Sequence, residues 1–292
     1  LSDGQTIECS ATEIRDISTM FDTTKDKQCS KGYKTRYIIY YNNSDTNISI
    51  EIPKNAIYVI FSGVKFNTSP FSSKTYLQAV KCINNTQYNN TSANSMFNGC
   101  YMLQNVINLD TSNVTKMEDM FNDCYSLQNV MNLDTSNVTS MNSMFRGCYT
   151  LKNVSKLDTN NVINMGNMFN NCYTLQRIPN LDTNKVTNMS NMYNNCKSLH
   201  NITNLDTSSA TNVNTIFANC YALINIDNIS NISISLTVSS SRLNHKTLVK
   251  ILNALVDLTE TTSQKLTLNS TNLAKLTDEE KAIAIEKNWT LA

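Results

Sequence analysis

Six cysteines in this chain, Cys100, Cys124, Cys148, Cys172, Cys196 and Cys220, follow one another at a constant interval of 24 residues. A fixed period of that length leaves few folds open. Each unit is too small to bury an apolar face alone, so units must stack on one another as a solenoid. Aligned on the cysteines, other positions fall into columns: Leu103, Leu127, Leu151, Leu175, Leu199 and Leu223, then Val106, Val130, Val154, Ile178, Ile202 and Ile226. Leu109, Leu133, Leu157, Leu181 and Leu205 come next, and each is followed by Asp-Thr, with the acids at Asp110, Asp134, Asp158, Asp182 and Asp206. The unit closes with Val114-Thr-x-Met117-x-x-Met120-Phe121 and its equivalents, ending at Val213-x-x-Ile216-Phe217.

Val114, Met117, Met120 and Phe121 lie at i, i+3, i+6 and i+7, which predicts one face of a short helix. Asp110, Thr111 and Ser112 precede it and suit the free N–H groups of a helix start. The stretch Leu127–Leu133 lacks helical spacing and has the length of one strand. The fold class expected is an α/β repeat solenoid: a leucine-rich-repeat-like, right-handed stack of short parallel strands and short helices with caps at both ends. The unit LDTSNVTSMNSMFRGCYTLKNV resembles the BspA-like leucine-rich repeats of bacterial surface proteins, including the related repeats of mycoplasma lipoproteins. It recurs five times in full, over about residues 94–229. The resemblance implies a surface-displayed adhesion or recognition protein without enzymatic activity.

Three segments follow from this pattern: residues 1–95, 96–229 and 230–292. The last has a wider rhythm. Leu236-Thr237-Val238 reads as a strand, Asn244 to Leu258 as an amphipathic helix and Leu266-Thr267-Leu268 as a strand. A helix opening at Thr277 carries Asp278, Glu279 and Glu280 in its first turn, where the helix dipole favours acids, and Trp289-Thr290-Leu291 forms a final strand. Such a segment would cap the stack. It also resembles the closing segment of BspA-like chains of gut Firmicutes and of tail or virion proteins of their phages. Residues 1–95 contain β-type runs at Tyr37–Tyr41, Ile48–Ile52 and Ala56–Phe61. Ile14-x-x-Ile17-x-x-Met20-Phe21 repeats the helix-like half of the unit, so a cap of degenerate repeats and an unrelated β domain both remain open.

Composition narrows the partners. With 24 Lys+Arg against 23 Asp+Glu the net charge is +1, which removes the electrostatic case for nucleic acid. Charged residues are 16%, and polarity comes instead from 45 asparagines. Gly (6) and Pro (3) are few, so Asn is expected to make the turns, because it tolerates the left-handed conformation. No apolar run is long enough to span a membrane. The Leu1-Ser2-Asp3-Gly4 start resembles neither an initiator Met nor a signal peptide, which suggests a mature or trimmed chain; the resemblance implies display at a bacterial cell surface, extracellularly, or on a phage virion.

Each column admits more than one chemistry. The cysteines read as buried thiols or, by their stacked spacing, as disulfide partners; Cys9 and Cys29 are a candidate bridge of their own, and the state of Cys82 is open. The four Met-x-x-Met pairs suit core packing better than copper(I). Stacked Asp carboxylates would repel by about 3 kcal/mol at an effective dielectric of 20, so local N–H groups or an intervening calcium must offset them. Neither a metal site nor a cofactor is expected. Catalysis has no motif behind it: the two histidines are His200 and His245, and no GxSxG, HExxH, P-loop or GxGxxG occurs. Cys196 and His200 share a unit, but the cysteine is needed for packing.

Binding is the better-supported role. Tyr101, Tyr125, Tyr149, Tyr173 and Tyr221 follow the cysteines, with Lys197 breaking the run, and would form an aromatic stripe if they face outward. Asn105, Asn129, Asn153, Arg177 and Asn201 flank the inward strand residues and would line an amide-rich face. Plain packing and plain solvation are the alternatives. The expectation is a non-enzymatic adhesion protein recognising a host or partner protein or a glycan through its repeats. The alternative is a structural virion or cell-envelope component, such as a phage tail-fibre, receptor-binding or head-fibre protein, able to form homo-oligomers.

Overall fold

The computed structural model describes residues 37–42, 56–62, 65–66, 70–83, 86–130 and 132–292. Within them the chain winds as a stack of short parallel strands. β1 (Tyr37–Asn42), β2 (Ala56–Ser62), β3 (Lys65–Phe66), β4 (Ala79–Ile83), β5 (Gln87–Tyr88), β6 (Asn105–Ile107) and β7 (Asn129–Val130) open it. One five-stranded parallel sheet runs in the order β1-β2-β4-β6-β7, so the strands before residue 95 belong to the same stack as the regular repeats. β8 (Asn201–Ile202), β9 (Leu205–Asp206), β10 (Asn225–Ile226) and β11 (Ile229–Ser230) continue the parallel pairing. The register between repeats is 24 residues, as in Val106 with Val130 and Ile202 with Ile226. Single bridges carry a further line of contact from Ser92 through Lys116, Ser140, Asn164 and Asn188 to Asn212. In-register parallel stacking sets each side chain on its own equivalent one unit away, which is why the columns are so uniform.

The second half of each repeat corrects the helix expected from Val114 to Phe121. It is a run of tight turns, and its N–H groups alternate between two kinds of partner. The Asn122 N–H bonds Asp119 O and the Cys124 N–H bonds Phe121 O within the unit, while the Phe121 and Asp123 N–H groups donate to Met144 O and Arg146 O of the next repeat. A helix would close all of these bonds on itself. Here half of them bind one unit to the next. The geometry needs left-handed backbone twice per repeat: at Ser95, Asp119, Ser143, Asn167, Asn191 and Thr215, and again at Gly99, Asp123, Gly147, Asn171, Asn195 and Asn219. Asparagine fills more of these positive-φ positions than any other residue, which agrees with the turn role expected of it.

The core is made of stacked copies. Phe71, Phe97, Phe121, Phe145 and Phe169 form a ladder continued by Tyr193 and Phe217, with ring centroids 4.7, 5.2, 5.5, 5.6, 6.0 and 6.0 Å apart. The paired methionines Met117/Met120 to Met189/Met192 are fully buried beside it. Tyr193 is the irregular member. Its ring keeps the ladder, but its hydroxyl is enclosed with no hydrogen-bond partner, and an unmet buried hydroxyl costs about 1 kcal/mol or more. Tyr193→Phe is therefore expected to stabilise the protein by about 1 kcal/mol, read as a higher urea midpoint at unchanged m-value. A lower midpoint would show that the hydroxyl is satisfied.

After the repeats comes a parallel sheet of β12 (Leu236–Thr237), β13 (Gln264–Thr267) and β14 (Trp289–Leu291), in that order. Its connections hold α1 (His245–Ala254), α2 (Ser270–Leu273) and α3 (Asp278–Glu286). The expected strand–helix–strand–helix–strand order is the one observed, with the four-residue α2 added. α1 is capped by Asn244, whose side chain accepts the Thr247 N–H, and buries Leu248, Ile251 and Leu252. α3 is capped by Thr277 in a reciprocal capping box with Glu280. The stack joins this segment by backbone pairing: the Arg242 N–H donates to Leu223 O, and the Asn244 N–H to Ile224 O.

Candidate functional site

The tyrosine column sits where each chain turn leaves its buried cysteine. Cys124, Cys148 and Cys172 point inward and donate their thiols to Phe97 O, Phe121 O and Phe145 O at 3.2, 3.2 and 3.0 Å. The residue after each thiol is thereby turned toward the surface. Tyr101, Tyr125, Tyr149 and Tyr173 stack there face to face, with centroids 4.7, 4.6 and 5.0 Å apart and planes within 9°. Lys197 ends the run with its ammonium 4.8 Å from the Tyr173 ring centroid. Tyr101 and Tyr221 are exposed, while the three between are half-buried by their neighbours. Partial burial, with the Asp123 carboxylate and the neighbouring phenols, pushes the Tyr125 hydroxyl above its ordinary value. The ladder is an ordered aromatic surface.

Four residues along, the strand-side amides form the second column. Asn105 and Asn225 are half-buried, and Asn129, Asn153, Arg177 and Asn201 are exposed. The Asn225 side chain donates to Asn201 Oδ1 at 2.8 Å, an amide ladder of the same stacked kind. Ser155 turns back to donate to Val130 O, and Met131 lies outside the described residues. The tyrosine and amide columns run along the same stretch of the repeats, separated by the inward leucines and by Gln104, Gln128, Lys152 and Gln176.

The remaining candidates resolve into structural roles. The seven described cysteines are free and buried, and burial is the first cause pushing the Cys100 and Cys220 thiols up to about 12. Cys196 is fully buried with its thiol on Phe169 O and is likewise raised by burial, whereas the His200 ring is exposed, with Nδ1 2.7 Å from Ser198 O. The two therefore do not form a nucleophile–base pair. The Asp column sits on turns, not on the helix starts expected. Asp110, Asp134, Asp158, Asp182 and Asp206 each accept the N–H two residues on, at 2.9–3.1 Å. Side-chain and backbone hydrogen bonds from Ser136 hold Asp134 below its ordinary value. Among the described residues no cluster of three or more His, Cys, Asp or Glu could hold a metal, and no helix is long and apolar enough to cross a membrane. The Cys9–Cys29 pair, Ile14–Phe21 and the Ile48–Ile52 run lie outside the described residues.

The sequence reading missed a cleft of about 640 Å³ where the last repeat meets the closing segment, lined by Tyr221, Ile224, Arg242, His245 and Lys275 among others. Its walls come from positions far apart in the chain, and no local pattern marks them.

Stacked parallel units with one buried ladder and surface columns define a leucine-rich-repeat-like solenoid, built from 24-residue repeats. Residues 68–177 and 150–245 match the family described as "Mycoplasma protein of unknown function, DUF285", and over more than half of its length the chain belongs to that family of BspA-like repeats. Among solved structures it is similar to the T. pallidum leucine-rich-repeat protein, at 18% identity over 65% of this chain and 82% of that one, with a TM-score of 0.40. No curated protein matches the chain.

Proposed function

We propose that this chain is a non-enzymatic binding protein, displayed at a bacterial or phage surface, that recognises a partner protein or a glycan along its repeats. The repeat family points to an interaction or surface role. The observation that supports the finer reading is the tyrosine ladder, four rings held parallel on the surface beside a nearly uncharged amide column. A fixed row of aromatic faces and amides suits an extended, neutral ligand such as a sugar chain or a peptide strand. Contacts repeated every unit would add up to useful affinity from individually weak stacking and hydrogen bonds.

The test is a glycan and host-protein binding screen with the whole chain, repeated on the hits with Tyr125→Ala/Tyr149→Ala and with Asn129→Arg/Asn153→Arg. Each truncated tyrosine at the centre of a contact should cost about 2 kcal/mol, so the tyrosine pair should weaken binding at least tenfold. Hits bound equally well by both double variants would sink the assignment of the repeats as the binding surface.

A further inference from the structure

A cleft chemically unlike the tyrosine ladder lies at the seam of the repeats and the closing segment. We propose that this cleft binds an anionic sugar, a pyranose ring bearing one carboxylate or phosphate group. It uses other residues than the tyrosine ladder, so each reading can fail without the other.

Three observations converge. The cleft is basic in a chain of almost balanced charge: besides Tyr221 its titratable lining groups are His200, Arg242, His245 and Lys275, with no carboxylate among the lining residues. His245 is already matched, since its Nε2 lies 2.8 Å from Glu280 Oε1. Arg242 and Lys275 are not. Neither forms an ion pair with a carboxylate among the described residues, and Lys275 only reaches the neutral acceptors Leu243 O at 2.5 Å and Asn272 Oδ1 at 3.3 Å. These last two contacts hold the ammonium at the cleft lining, where Arg242 supplies the other cation without a carboxylate partner.

The second observation is the apolar wall. Tyr221 and Ile224 are among the most exposed large hydrophobic residues of the described chain, at 50% and 40%. The Tyr221 hydroxyl is anchored on Asn219 Oδ1 at 2.6 Å, so its ring is held rather than free to fold away. A fixed aromatic face beside a cationic pair matches a ligand that has a ring body and one anionic substituent. The third observation is size: about 640 Å³ lies within the range of small-ligand sites and has room for one or two sugar rings. The repeats alone would not make this site. Tyr221 and Ile224 come from the last repeat, Arg242 from the segment before α1 whose backbone pairs with it, and Lys275 from the turn after α2.

The intact chain is titrated with glucuronate, glucose 6-phosphate, glucose and inorganic phosphate, and binding is followed by NMR or calorimetry. At least one anionic sugar is expected to bind with a dissociation constant on the order of 1 mM, and glucose at least tenfold more weakly. The tighter of the two anionic arms identifies the anion. Arg242→Gln, at an exposed position where folding is not at risk, should weaken that binding at least tenfold. Tyr221→Ala should weaken it severalfold, and Lys116→Gln, a distant exposed cation, should leave it unchanged. No binding of either anionic sugar, glucose binding equally well, or an unaffected Arg242→Gln would each overturn the proposal. Inorganic phosphate binding as tightly as glucose 6-phosphate would overturn its sugar half.

Discussion

Phe145→Ala is expected to cost about 3–5 kcal/mol and to split unfolding into two transitions. The ring is fully buried and stacks on Phe121 at 5.5 Å and on Phe169 at 5.6 Å. Truncation removes the apolar burial of one large side chain and two stacking contacts of about 0.5–1.5 kcal/mol each. The consequence differs from that in a globular core. In a solenoid each unit is stabilised by its neighbours, so a gap in a middle rung weakens the coupling between the stack before it and the stack after it. Urea denaturation should then show a lower m-value or two resolved steps. Phe217→Ala is the control, because Phe217 stacks on Tyr193 alone among the described rings. It should lower stability by less and leave the transition single. A Phe145→Ala protein within about 1 kcal/mol of the parent, unfolding in one step, would mean that the ladder does not couple the repeats.

The ladder also marks how far the sequence could be read. Register, stacking and the buried columns were legible, because a 24-residue period leaves parallel in-register stacking as the solution that buries every unit. The closing segment was legible for another reason: Thr277 and Glu280 form a local capping pattern, and α1 has a true helical stripe in Leu248, Ile251 and Leu252. The repeat's second half misled. Val114, Met117 and Met120 are spaced by three, but so are Cys124, Leu127, Val130 and Leu133. Met117 to Phe121 supplies one i+4 step, but the steps of three that run on from Cys124 to Leu133 are the period of successive three-residue turns and not of a helix face. Asn167, Asn171, Asn191 and Asn195 carried the missing signal, since two left-handed residues four apart cannot sit in one α-helix.

Of the candidate sites, the tyrosine and amide columns were legible as columns, because a side chain that repeats every unit must line up with its copies. Whether the tyrosines stacked on the surface was not legible. That depends on the thiol before each ring turning inward to a carbonyl of the preceding repeat, a contact between residues 27 apart. The seam cleft was not legible at all. Arg242 and Lys275 are brought to Tyr221 by pairing between the last repeat and the closing segment, which no periodicity encodes.

Thr183→Val is expected to destabilise by about 2–4 kcal/mol, although it preserves the side chain's shape. The Asp-Thr pair looked like a helix start, and in the structure its two halves work in different directions. The aspartate caps its own turn, and the threonine clamps the next repeat. Thr183 is fully buried; its hydroxyl donates to Asp206 O at 2.9 Å and accepts the Asp206 N–H at 2.8 Å. One oxygen thus satisfies both backbone groups of a residue 23 positions on. Thr135 and Thr159 do the same for Asp158 and Asp182. Valine leaves an N–H and a C=O without partners in the interior, each costing about 1–3 kcal/mol. Thr183→Ser separates this from packing, because it keeps the hydroxyl and loses one buried methyl, for about 1 kcal/mol. Serine should therefore lie closer to the parent than valine in urea midpoint. If valine is the milder change, the clamp contributes nothing and the threonine column is there for its methyl group. The clamp also accounts for a column the apolar pattern leaves unexplained: a threonine in every unit, buried where a hydrophobe would otherwise serve, because the rise from one repeat to the next passes through the main chain of its aspartate.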